Sequence, residues 1–173
     1  KGRDLGHLVE SKALYAGGQK AALARMLDVA IQFCWGLHHA HWHGVVHQDV
    51  KPANLLVSEG DACKVTDFGL ARVWVDDAQG SSGSGGSGGG SSRGSGLDSR
   101  AKKLKGLSGG TPTYRSADHR TFGEITHKAD MWSWGVSMIE LFSGDVYWRQ
   151  GSKAREVLED LLKYGSRYDV VPP

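Results

Sequence analysis

The sequence predicts a mainly α-helical domain carrying one short β-hairpin, an α+β arrangement in which strands are few. Three observations predict it. Apolar residues recur every three or four positions from Ala21 to about His41. A second stretch, from Ala129 to about Phe142, is apolar nearly all round. Between them, two short strand-like runs flank Glu59-Gly60-Asp61.

Taken in order, Leu5, Leu8, Val9 and Leu14 stand at helix-like intervals until Gly17-Gly18 interrupts them. In the long helix, Leu23, Met26, Leu27, Ala30, Ile31, Cys34, Leu37 and Ala40 are expected to form one buried stripe, and Gly44 to end it. Val45-Val46 then leads into a polar loop. The hairpin is expected to pair Asn54–Ser58 with Ala62–Thr66, Gly60 supplying the tight turn. The second helix holds Met131, Trp132, Trp134, Val136, Met138, Ile139, Leu141 and Phe142; it is expected at the centre of the domain, capped by Gly144. A last helix is expected over Lys153–Tyr164, with Val157, Leu158, Leu161 and Leu162 on one face and Gly165 as its stop.

Bulk properties narrow the function classes. A chain of 173 residues is one domain or part of a larger one. A net charge of +2 with 23% charged residues gives no general polyanion-binding character, so no nucleic-acid partner is expected. No apolar run reaches the roughly 18 residues of a membrane-spanning helix. The start, Lys1-Gly2-Arg3-Asp4, has neither an initiator Met nor an apolar signal segment and reads as internal to a longer protein. Cys34 and Cys63 give no disulfide framework and suit a reducing, cytoplasmic compartment, with Cys34 as buried filler. His38, His39, His41, His43 and His47 crowd together, but no acidic or cysteine ligands share their spacing, which disfavours a metal centre.

Residues 79–96 are almost entirely Gly and Ser, too poor in apolar surface to offset the entropy of ordering, and are expected to be a flexible insertion. The basic run Arg100-Ala101-Lys102-Lys103-Leu104-Lys105 reads as solvated charge ahead of a docking site for acidic partners.

The chemistry concentrates in His47-Gln48-Asp49-Val50-Lys51-Pro52-Ala53-Asn54, followed by Asp67-Phe68-Gly69. Phosphoryl transfer asks for a group to orient the attacking hydroxyl, cationic charge near the moving phosphoryl, and oxygen ligands for Mg²⁺. Asp49, Lys51, and Asn54 with Asp67 supply these types in turn. In order and spacing the two motifs resemble the catalytic-loop and metal-binding signatures of eukaryotic-type protein kinases, and Lys51 points to the serine/threonine kind.

The resemblance spans roughly residues 1–171 and implies the larger, helical lobe of a kinase, with its hairpin beside the catalytic loop. The smaller lobe is missing from it: no Gly-x-Gly-x-x-Gly loop or strand lysine precedes residue 20. The Gly/Ser insertion then falls within the activation loop, ahead of Gly110-Thr111-Pro112. The implied function is transfer of the ATP γ-phosphate to Ser or Thr hydroxyls of a protein substrate, with Mg²⁺. This piece alone is expected to be inactive and to leave apolar surface of the Met131–Phe142 helix uncovered. The alternative is a pseudokinase-like binding or scaffold module.

Residue by residue, the resemblance makes Asp49 the catalytic aspartate, Lys51 the neutraliser of developing charge, and Asn54 and Asp67 the Mg²⁺ ligands. Thr111 would tie the peptide-binding loop to Asp49 and Lys51. Leu56 would carry the adenine, His47 and Phe68 would pack, and Asp130 would hold the catalytic-loop backbone. Two positions depart from the family pattern. Gln48 replaces the usual arginine, so loop phosphorylation is not expected to be the on-switch, because a neutral amide forms no bidentate ion pair with phosphate. Ser116-Ala117-Asp118 stands where Ala-Pro-Glu is usual, leaving a shorter carboxylate without its downstream arginine.

Overall fold

The computed structural model describes residues 2–73, 110–116 and 126–164. The 79–96 insertion, the basic run at 100–105, Ala117, Asp118 and Gly165 lie outside the described residues.

Helices dominate, as the patterning predicts. Strand β1 (Arg3–Asp4) passes directly into α1 (Leu5–Glu10), where the Asp4 carboxylate caps the helix by accepting from the His7 N–H at 2.8 Å. A 3₁₀ turn at Ala13–Tyr15 and the left-handed glycines 17 and 18 then re-aim the chain into α2, Gln19–Trp42.

The face that α2 buries agrees with the expected one at Met26, Ala30, Leu37 and Ala40 and differs at the rest. Ala22, Met26, Val29, Ala30, Phe33, Leu37 and Ala40 are inside, whereas Leu23, Leu27 and Ile31 are 46%, 47% and 49% exposed, and Cys34 is half-buried. The helix carries two apolar rows, offset by one position and so by about 100°. Tertiary contact selects the row facing the hairpin and the second long helix. Gly36 belongs to that choice: a Cβ there would lie 2.6 Å from Val65 Cγ2, so its absence lets the hairpin close onto α2.

After α2 come β2 (Val45–Val46), a 3₁₀ turn at Pro52–Asn54, β3 (Leu55–Val57) and β4 (Cys63–Val65). The hairpin register is Leu55↔Val65, Leu56↔Lys64 and Val57↔Cys63, the expected one, with each strand two residues shorter than expected. Its left-handed turn residue is Asp61, not Gly60; the Ser58 hydroxyl, accepting from the Ala62 N–H, closes the turn. Two pairings were not foreseen. β1 adds antiparallel to β3, giving the order β1-β3-β4, and β2 pairs with β5 (Arg72–Val73).

Helix α3 spans His127–Ser143, with Thr126 as its cap and Gly144 left-handed at its end, as expected of that glycine. It packs on α2, but its inner face is partly polar. Asp130, Ser133, Ser137 and Glu140 are buried alongside Val136, Met138 and Leu141, while Trp132 and Phe142 are 38% and 37% exposed. Ser133 and Ser137 donate back to the carbonyls of Ala129 and Ser133, so they sit in the core without orphaned hydroxyls. Helix α4 (Ala154–Tyr164) follows a 3₁₀ turn at Gly151–Lys153; it buries Ala154, half-buries Val157, Leu158 and Leu161, and leaves Leu162 79% exposed. The main core joins α1, α2, the hairpin and α3, and a second cluster gathers Val136, Trp148 and Ala154. No described helix is long and apolar enough to cross a membrane.

Candidate active site

The site is assembled on the loop between β2 and β3. That loop holds an unfavourable shape, since Gln48 adopts a left-handed φ of 69° without being glycine. What holds it is Asp130, buried at the start of α3. One carboxylate oxygen accepts the main-chain N–H of His47 at 2.7 Å, and the other accepts that of Gln48 at 2.8 Å. The imidazole of His41 completes the set, 2.8 Å from Asp130 through Nε2. The His47 ring accepts from the Asp49 N–H at Nδ1 and donates from Nε2 to the Thr66 carbonyl, which fixes the neutral tautomer; it also packs 4.7 Å from the Phe68 ring.

So anchored, Asp49 points its carboxylate into a dense set of donors. Thr111 gives both its N–H and its hydroxyl to Oδ1, each at 2.8 Å. Lys51 Nζ lies 2.7 Å from Oδ2 and also donates to the Thr111 hydroxyl at 2.9 Å. Burial pushes the Asp49 carboxyl up, but the hydrogen bonds from Lys51 and Thr111, with the Lys51 charge, outweigh it and hold the group below its ordinary value. Asp49 is therefore an ionised acceptor beside a fixed cation, able to align a hydroxyl.

Asn54 is buried and donates from Nδ2 to the Asp49 carbonyl at 2.8 Å, which turns its amide oxygen away from that loop. Its own carbonyl accepts from the Thr66 N–H, a rung that places Asn54 beside the start of Asp67-Phe68-Gly69. Asp67 is left-handed, φ 59°, with one carboxylate oxygen accepting from the Gly69 N–H. One amide oxygen and one carboxylate oxygen thus remain at this end of the hairpin, hard donors of the kind that suits Mg²⁺. Leu56 lies on β3 with 42% of its surface exposed, and Phe68 is 44% exposed.

The Thr111 turn is built for this contact. Gly110 has φ 92°, and a Cβ on it would sit 2.5 Å from the Gln48 carbonyl oxygen, so only glycine fits. The sequence-predicted residues Asp49, Lys51, Asn54 and Thr111 therefore meet through direct hydrogen bonds, and Asp67 stands beside Asn54.

Comparison with known proteins agrees with this geometry. The family described as the protein kinase domain matches residues 7–169. The chain belongs to the protein kinase family. Among similar kinases, the serine/threonine-protein kinase PknB of Mycolicibacterium smegmatis is 28% identical over 121 residues, covering 70% of this chain and 16% of that protein. The tyrosine-protein kinase Fgr of Rattus norvegicus is 29% identical over 144 residues, 83% of this chain and 23% of that protein. The tyrosine-protein kinase SRK3 of Spongilla lacustris is 28% identical over 142 residues, covering 82% and 36%. The chain thus spans well under half the length of these kinases.

Two members of this kinase site carried no local signal. His41 stood out in the sequence merely as one of a histidine crowd; its partner Asp130 is 89 residues away in the chain. The rest of that crowd divides: the His39 and His43 rings lie 4.4 Å apart, tilted by 50°, and His38 lies against Trp42. The second is Glu140, buried on α3, which accepts the Tyr114 hydroxyl at 2.7 Å and so pins the end of the Thr111 turn. Burial pushes the Glu140 carboxyl up, with the Asp145 charge adding to the effect and the Tyr114 bond opposing it.

Proposed function

We propose that this chain is the catalytic-loop portion of a serine/threonine protein kinase, which transfers the γ-phosphate of ATP to Ser or Thr hydroxyls of a protein. The observation that carries this is the closed set of bonds among Asp49, Lys51 and Thr111. Asp49 Oδ2 accepts the substrate hydroxyl in place of its longest contact, Asn54 Nδ2 at 3.3 Å, and takes up the proton as the hydroxyl oxygen bonds to the γ-phosphorus, whose bond to the β–γ bridging oxygen breaks and leaves that electron pair on departing ADP. Lys51, already fixed there, offsets charge developing on the transferred phosphoryl. Asn54 and Asp67 would hold Mg²⁺ through their remaining oxygens; when bound, it supplies cationic charge against the phosphate oxygens. Leu56, exposed on β3, offers the apolar surface for adenine. The serine/threonine preference rests on Lys51 and its bond to Thr111.

The test uses the longest form of the protein that contains these 173 residues, assayed with Mg-ATP on Ser-, Thr- and Tyr-containing peptides. Phosphoserine or phosphothreonine, abolished by Asp49→Ala and Lys51→Ala, is expected; phosphotyrosine alone would remove the serine/threonine assignment. The 173-residue chain itself is expected to bind Mg-ATP weakly or not at all. A scaffold reading draws on Gln48, which is buried with no hydrogen-bond partner for its Nε2 among the described residues. No transfer by a longer form bearing a Gly-rich loop and strand lysine would favour it.

A further inference from the structure

We infer that Trp148 and Gly151, in the segment between α3 and α4, are positioning residues for Thr111 and, through it, for the Asp49–Lys51 pair. The consequence for catalysis rests on the kinase reading above; the positioning itself does not.

The Pro112–Tyr114 turn has little to hold it by itself. It is a three-residue 3₁₀ turn with no side-chain cap, closed by main-chain bonds from Tyr114 N–H to Thr111 O at 3.1 Å and Arg115 N–H to Pro112 O at 3.3 Å. Such a short turn takes its place from what surrounds it. Its front end is Thr111, whose N–H and hydroxyl both reach Asp49. Its back end meets Trp148 and Gly151.

The contact at Trp148 is a directed bond. Its indole N–H donates to the Thr113 carbonyl at 2.8 Å, from a ring that is 6% exposed within the Val136–Ala154 cluster. A buried indole that loses this acceptor has no water to replace it, so ring and carbonyl hold each other. At Gly151 the contact is one of shape. A Cβ there would lie 2.6 Å from Arg115 O and Tyr114 C and 2.7 Å from Arg115 N. Those are main-chain atoms, so any side chain at 151 must push the turn as a whole.

Displacement at Thr113 reaches Thr111 because Pro112, with its fixed φ, stands between them and leaves the turn few soft torsions. Hydrogen bonds to Asp49 are sensitive to shifts on the order of 1 Å. The wall behind the turn thus sets the donors in front of it.

The test reads the 173-residue chain directly, with no nucleotide. Trp148→Phe keeps an aromatic ring, though a smaller one, and deletes the donor; Gly151→Ala adds the clash. Hydrogen exchange is followed by NMR at the Thr111 amide, with the amides of Val29 and Phe33 in α2 as the control. Each variant is expected to lower Thr111 protection about tenfold while Val29 and Phe33 keep theirs. Unchanged Thr111 exchange in a folded variant would overturn the inference. Should Gly151→Ala not fold, Trp148→Phe decides. Should both fail to fold, β-(3-benzothienyl)alanine at position 148, an isostere without the N–H, gives the same readout. Absence of phosphoryl transfer by a longer form would leave this result untouched, and the converse holds.

Discussion

Asp130 meets His47 at 2.7 Å, its carboxylate accepting a main-chain N–H two residues ahead of Asp49. The other oxygen takes the neighbouring N–H of Gln48. Both donors are buried, so without Asp130 neither reaches water. Asp130→Ala is expected to cost about 2–6 kcal/mol, at roughly 1–3 kcal/mol for each of the two orphaned groups. Asp130→Asn, which keeps one acceptor oxygen, should cost less. Urea unfolding measures both; a loss below about 1 kcal/mol for the alanine variant would show that the loop holds itself.

Asp49 makes stability depend on pH. Its folded-state value is depressed, so its contribution is present above the unfolded carboxyl value and is lost as pH falls through the folded one. The stability difference between the native chain and Asp49→Asn should therefore shrink from pH 7 to below about pH 4. Denaturation at both pH values gives the comparison, and a constant difference would contradict the ion-pair account.

Glu140 carries the opposite sign. Its value is raised, so the ionised carboxylate is unfavourable above the folded value, and protonation relieves the cost as pH falls. Glu140→Gln keeps an acceptor for the Tyr114 hydroxyl and removes the buried charge. Its Tm should exceed that of the native chain at pH 7, with the gain disappearing near pH 4. A lower Tm at pH 7 would mean that the charge strengthens the Tyr114 bond by more than burial costs.

At Gly36 the hairpin and α2 are in contact through a missing side chain. Gly36→Ala should destabilise by about 1–3 kcal/mol, the usual cost of overpacking, despite the better helix propensity of alanine. Val65→Ala in the same chain should recover part of the loss. A stabilising Gly36→Ala would mean that Val65 moves aside freely.

The two apolar rows of α2 can be told apart by substitution. Leu27→Lys, on the exposed row, should change stability by no more than about 0.5 kcal/mol. Phe33→Ala, on the buried row, should cost about 3–5 kcal/mol. Thermal or urea unfolding that reversed this order would place the helix the other way round.

These residues also explain what sequence reading reached. The gathering of Asp49, Lys51 and Asn54 was legible because their spacing is local and all three lie on one loop. Helices α2 and α3 were legible because period 3.6 survives over many turns. The burial of α2 was legible only in part: Met26, Ala30, Leu37 and Ala40 are inside as expected, but Leu23, Leu27 and Ile31 are as apolar as the buried row and only packing leaves them outside. Strands β1 and β5, two residues each, are too short for any alternation to register. His41–Asp130 and Tyr114–Glu140 are bonds between distant segments, with no local pattern to announce them. Asp61 took the left-handed place beside an available glycine because Ser58 closes the turn around it.

The reliance of His47 and Gln48 on Asp130 has a further meaning during synthesis. The loop leaves the ribosome 83 residues before the carboxylate that anchors His47. Until α3 emerges and docks, the Gln48 N–H has no carboxylate to offset its left-handed backbone, and Asp49 lies on a loop whose shape is not yet held. That shape therefore arrives late, with a helix that contributes none of the residues on the loop itself.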